Sequence, residues 1–133
     1  MGRRALRHSD PNLDLSGWLF ELDHLPRPVT AEALFQCAWP LEVEVGSGRG
    51  LFLRTAAAAE PRRCFLGCEI GRKYARFTAA GLASRGLDNA KVVAGDALRL
   101  FAELLPDLSV ATVHVYFPDP WWKQKHRKRR IMR

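Results

Sequence analysis

Four β-type runs lie between residues 41 and 117, separated by helical stretches, and each carries a carboxylate at or just past its C-terminal end. The first, Leu41-Glu42-Val43-Glu44-Val45, runs into Gly46-Ser47-Gly48-Arg49-Gly50. A helical segment over 51–60 follows, and Pro61 stops it. The second run is Cys64-Phe65-Leu66-Gly67-Cys68-Glu69-Ile70. Residues 72–85 then show helical spacing, with Tyr74, Phe77, Ala80 and Leu82 expected toward one side and Gly86 as the terminator. Ala90-Lys91-Val92-Val93-Ala94 reads as a third strand, and 97–105 as a helix stopped by Pro106. The fourth strand spans 110–117 and ends at Pro118-Asp119-Pro120. This alternation predicts an α/β fold, with a mostly parallel sheet of about four strands and helices on its faces. Ligands of such sheets bind beyond the C-terminal strand ends. Glu44 with its glycine loop, Glu69, Asp96 and Asp119 all fall there, a regularity that scattered surface acids would rarely produce.

Residues 1–40 read differently. Pro11, Pro26, Pro28 and Pro40 interrupt them, and Gly17 weakens any helix. A short helix over 30–37, capped by Thr30, is expected within an N-terminal extension. The domain proper runs from 41 to 133, and an apolar share of 47% gives it material for a core. No apolar run approaches the roughly 18 residues of a membrane span. No secretory leader opens the chain, so a cytoplasmic protein without a membrane partner is expected. Cys37, Cys64 and Cys68 are odd in number and read as small buried hydrophobes. No histidine joins them at a metal-ligand spacing, so no metal site is expected.

The net charge of +7 is concentrated at one end. Residues 119–133 hold seven Lys or Arg and one acid, a balance of +6, whereas residues 1–118 hold fourteen basic and thirteen acidic groups, a balance of +1. A nearly neutral domain thus ends in a cationic strip, which suits a polyanion or a solvated tail.

Gly46, Gly48 and Gly50 allow a tight turn and a close backbone approach to a ligand. The spacing is neither that of dinucleotide-binding loops nor that of a phosphate-gripping loop. Glu69 follows Gly46 by 23 residues, a separation at which an acid can accept from both hydroxyls of a ribose. Asp96 can accept from an adenine amine, cap the helix beginning at Ala97, or do both. Glu44 sits inside a central strand, where a carboxylate is costly unless paired, and a cationic ligand group would supply the partner. The string Phe117-Pro118-Asp119-Pro120-Trp121-Trp122-Lys123 fixes the backbone around Asp119 and places flat aromatic faces beside it.

With that string, followed by Lys125, His126, Arg127, Lys128, Arg129 and Arg130, the chain resembles the bacterial tRNA (guanine-N7)-methyltransferases. They belong to the class I S-adenosylmethionine-dependent methyltransferases. The Glu-Val-Gly-Ser-Gly-Arg-Gly, Gly-Cys-Glu-Ile and Gly-Asp-Ala runs match the family's cofactor motifs in order and spacing, and the resemblance covers roughly residues 41–132. It implies a Rossmann-like sheet, here its N-terminal half, and S-adenosylmethionine held by Glu44, Gly46, Gly48, Gly50, Glu69, Asp96 and Asp119. It further implies Asp119 as catalytic residue, and Lys123, Lys125, His126, Arg127, Lys128, Arg129 and Arg130 as tRNA contacts. The implied reaction is methyl transfer to N7 of guanine 46 in the tRNA variable loop. Family members continue past the position of Arg133, so a truncated chain that binds RNA without turnover is the alternative expectation.

Overall fold

The computed structural model describes residues 12–36, 38–106 and 109–115. Among these residues, five strands form one all-parallel sheet in the order β1-β4-β3-β2-β5. They are β1 (Leu19–Glu21), β2 (Leu41–Val45), β3 (Cys64–Glu69), β4 (Ala90–Ala94) and β5 (Val110–His114). The helices are α1 (Ala31–Phe35), α2 (Leu51–Ala59), α3 (Arg72–Ser84) and α4 (Ala97–Arg99), the last continuing as a wider π turn over Leu100–Leu104. The expected α/β parallel sheet is present with its four strands, and β1 is a fifth within the stretch expected to be an extension. It pairs with β4 through Leu19↔Val92 and Glu21↔Ala94. Trp18 Nε1 donates to the Leu87 carbonyl at 3.1 Å, and Lys91 Nζ to the Gly17 carbonyl at 2.6 Å. Residues 17–21 are therefore built into the sheet.

All six residues of β3 are buried, as are the first four of β2. Strands covered on both faces read as continuous apolar runs. On one face Leu41, Val43, Leu66 and Val93 pack with Leu34, Leu100 and Leu104. On the other, Phe65 and Ala90 pack under Leu53 and Leu82, while Val92 and Ala94 meet Ala75 and Ala79.

Helix α3 buries Ala75, Thr78, Ala79 and Leu82; of the expected stripe Leu82 is buried and Ala80 packs partly against the core, whereas Tyr74 and Phe77 are only half-buried. Small residues let the helix approach the sheet closely, and the aromatic rings fall to the rim. Its end follows expectation. Gly86 N donates to the Ala83 carbonyl and Leu87 N to the Leu82 carbonyl, each at 3.1 Å, a Schellman closure. Thr30 caps α1 by accepting from Ala33 N at 3.0 Å.

The chain steps from β2 to β3 to β4 on one side, then returns to place β5 on the other side of β2. That reversal makes the C-terminal end of β2 the topological switch point, where a crevice opens.

Candidate functional site

The glycine loop leaves β2 at this switch point. Gly46 N donates to the Cys68 carbonyl at 2.8 Å, so the loop begins as a continuation of the ladder. Gly50 N then donates to the Ser47 carbonyl at 2.9 Å, closing the turn from which α2 starts. Gly48 and Gly50 have φ of 55° and 82°, a region that side chains with a Cβ avoid. A Cβ at Gly50 would also stand 2.6 Å from Thr78 Cγ2.

Glu69, at the end of β3, uses both oxygens on backbone. Oε1 accepts from Gly48 N at 2.7 Å, and Oε2 from Gly71 N at 2.8 Å. The acid expected at a ribose therefore also ties the loop to the start of α3. Each carboxylate oxygen keeps a second lone pair, so accepting from a diol is compatible with this. One strand over, Gly95 N donates to the Glu69 carbonyl at 3.0 Å, which sets Asp96 beside it. Asp96 Oδ1 accepts from Leu98 N at 2.9 Å, the capping role open to it from sequence.

Two glutamates alternate with valine in β2 and point to the same face, yet their surroundings differ. Glu42 Oε2 accepts from Arg63 Nη1 at 3.0 Å, and His114 Nε2 of β5 lies 2.6 Å from Oε1. Glu42 is thus a paired, structural acid. Glu44 is only 4% exposed, and its Oε1 has no hydrogen-bond partner. Burial pushes its carboxyl up to about 7, and the negative charge of Glu69 adds to this; the nearby Ser47 hydroxyl works the other way. That hydroxyl is itself buried without a hydrogen bond. A buried carboxylate with an unfilled acceptor site is fitted to a cationic ligand group.

Gly67 of β3 makes room for this arrangement. It pairs in register with Glu44, and a Cβ there would collide with Ser47 Oγ and come within 2.5 Å of Leu53 Cδ1. Gly67→Ala is expected to cost about 1–3 kcal/mol by overpacking, read as a lowered urea midpoint. An unchanged midpoint would show that the loop yields freely. The sequence held one signal for this position, a glycine inside an otherwise apolar strand.

The site thus brings together Glu44, Gly46, Gly48, Gly50, Glu69 and Asp96. Asp119, Lys123, Lys125, His126, Arg127, Lys128, Arg129 and Arg130 lie outside the described residues. Ser47, Gly67 and Thr78 join the site from structure. Leu51 and Ile70 are 68% and 76% exposed beside Gly50 and Glu69, and they add apolar surface at the same end of the sheet. Strand-end acids, a backbone loop and apolar surface suit a ligand with a cationic group, hydroxyls and a flat apolar part. Among the described residues, no group of three or more His, Cys, Asp or Glu could hold a metal ion. No helix among them is long and apolar enough to cross a membrane.

The family described as "Putative methyltransferase" matches residues 38–133. Among relatives, the tRNA (guanine-N(7)-)-methyltransferase of Rhodopirellula baltica is 50% identical over 137 residues, covering 99% of this chain and 51% of that protein. The enzyme of the same name from Paracidovorax citrulli is 37% identical over 120 residues, covering 90% of this chain and 48% of that one. The chain spans about half the length of these curated relatives. Among solved structures, PKMT2 from Rickettsia typhi in complex with AdoHcy shares the fold, with a TM-score of 0.51 at 17% identity. That likeness covers 80% of this chain and 21% of the other. The matched stretch takes in the loop, the acids Glu44, Glu69, Asp96 and Asp119, and every described strand but β1, and the chain belongs to that methyltransferase family.

Proposed function

We propose that the chain carries the S-adenosylmethionine site of a tRNA (guanine-N7)-methyltransferase acting on guanine 46 of the variable loop. The carrying observation is Glu44, a buried carboxylate with an unfilled acceptor site at the switch point of this fold. The names of the relatives supply the reaction. When bound, S-adenosylmethionine provides a methyl group activated by its sulfonium. Glu44 then faces the ammonium of the methionine part, beside the Gly46–Ser47–Gly48–Arg49–Gly50 loop. Glu69 accepts from the ribose hydroxyls, and Asp96 from the adenine amine. In this reading residues 41–133 are the methyltransferase domain, residues 1–40 are an extension that adds β1 to its sheet, and the protein works in the cytoplasm, where tRNA is found.

Guanine N7 offers an unprotonated lone pair, so no strong base is needed. Asp119 orients the base and offsets the positive charge that develops on the ring. Alignment of N7 with the methyl supplies much of the rest. Lys123, Lys125, His126, Arg127, Lys128, Arg129 and Arg130 hold tRNA phosphates without reading sequence.

Labelled-methyl transfer to bulk tRNA, followed by nucleoside analysis, should show 7-methylguanosine; label in another nucleoside would refute the assignment. Affinity for tRNA should fall by about a hundredfold or more between roughly 50 and 200 mM salt if five or more phosphates are contacted. A salt-independent affinity would remove the strip from the interface. A second reading, an RNA-binding chain without turnover, rests on the cationic strip, seven Lys or Arg against one acid over residues 119–133. Calorimetry separates them, because an RNA-only module should ignore S-adenosylmethionine.

A further inference from the structure

Gly48 is gripped at both of its polar groups. Its N–H donates to Glu69 Oε1 at 2.7 Å, and its carbonyl accepts from Thr78 Oγ1 at 2.9 Å. Thr78 lies in the middle of α3 and is wholly buried. A mid-helix threonine ordinarily turns its hydroxyl back to a carbonyl one turn earlier in its own helix. Here the hydroxyl leaves the helix for a loop thirty residues away in sequence. Its methyl fills the space that a Cβ at Gly50 would need, 2.6 Å from Cγ2. One side chain therefore fixes the carbonyl of Gly48 and backs Gly50.

The consequence follows from peptide geometry. In a trans peptide the carbonyl and the next N–H point in opposite directions. With the Gly48 carbonyl turned to α3, the Arg49 N–H is turned away from the helix. We infer that Thr78 is a positioning residue for the glycine loop, setting its peptide groups before the cofactor arrives. This rests on the reading that the loop holds S-adenosylmethionine. Positioning through a rigid partner lowers the ordering cost of binding.

Thr78→Val keeps the shape and deletes the hydroxyl, whereas Thr78→Ser keeps the hydroxyl and deletes the methyl. In calorimetry Thr78→Val should weaken S-adenosylmethionine by about three- to tenfold, the worth of one hydrogen bond. Thr78→Ser should restore most of it. In the ligand-free protein, the Gly48 and Gly50 amides should exchange hydrogen faster in Thr78→Val than in wild type. Wild-type affinity together with wild-type exchange in Thr78→Val would overturn the inference. So would equal weakening by both variants, which would make the effect one of packing by the whole side chain and not of the hydroxyl. If wild type itself binds no S-adenosylmethionine, the cofactor reading fails, and loop exchange alone decides whether Thr78 holds the loop. Should Thr78→Val not fold, Thr78→Ala makes the same hydroxyl deletion.

Discussion

Glu44→Gln is expected to make the ligand-free protein more stable at pH 8, by about 1–3 kcal/mol, while removing most of its affinity for S-adenosylmethionine. In the folded protein the Glu44 carboxyl keeps its proton up to about pH 7; its ordinary midpoint is 4.5. Between these values the folded state binds a proton that the unfolded chain has released. The stability contribution is therefore full below about 4.5 and is lost as pH rises through 7. Moving the midpoint from 4.5 to about 7 corresponds to about 3 kcal/mol, the upper end of the expected gain. The difference between variant and wild type should vanish near pH 4.5 and grow toward pH 8, measured by urea unfolding. Binding runs the other way. A cationic ammonium favours the ionised carboxylate, so wild-type affinity should rise with pH up to about 7, and the variant should lose this dependence. A variant that is less stable at pH 8, or that binds as tightly as wild type, would end the assignment. Stability given up for a ligand is a familiar trade at functional sites.

Asp119→Asn should lower the methyl-transfer rate by about a hundred- to a thousandfold, with tRNA affinity nearly unchanged. The substitution keeps the size and one acceptor oxygen and removes the charge. If the charge offsets the positive ring of the methylated guanine, its loss acts on the transition state far more than on bound tRNA. Single-turnover rates with saturating tRNA, beside filter-binding affinities, resolve the two. A full rate would reduce Asp119 to a structural acid, and an equal fall in rate and affinity would make it a binding residue.

Much of this site was legible because buried parallel strands write themselves as apolar runs, and the polar residues that end them stand out. Leu41–Val45, Cys64–Glu69 and Ala90–Ala94 were marked in this way. The strand Leu19–Glu21 was not, since three residues have no period of their own and its pairing is imposed by β4. The sequence locates helix α3 and the buried Leu82, but not the rest of the buried face. Ring size drew attention to Tyr74 and Phe77, whereas closeness to the sheet favours Ala75 and Ala79. The sequence also could not show what separates Glu42 from Glu44. Both are buried acids on one face of one strand, and only the positions of Arg63 and His114 reveal which is already paired. Thr78 was invisible for the same reason, as one hydroxyl among many until the loop is folded against it.

The strand order also gives the sheet a direction of growth. Any further strand must join an outermost one. On one flank that is β1, which offers only three residues and is preceded by the turn at residues 16–18. On the other is β5, whose far side meets no strand among the described residues. Additional β-structure is thereby steered to the flank beside the crevice. The flank beside the crevice can then be extended while the flank that β1 closes stays as it is.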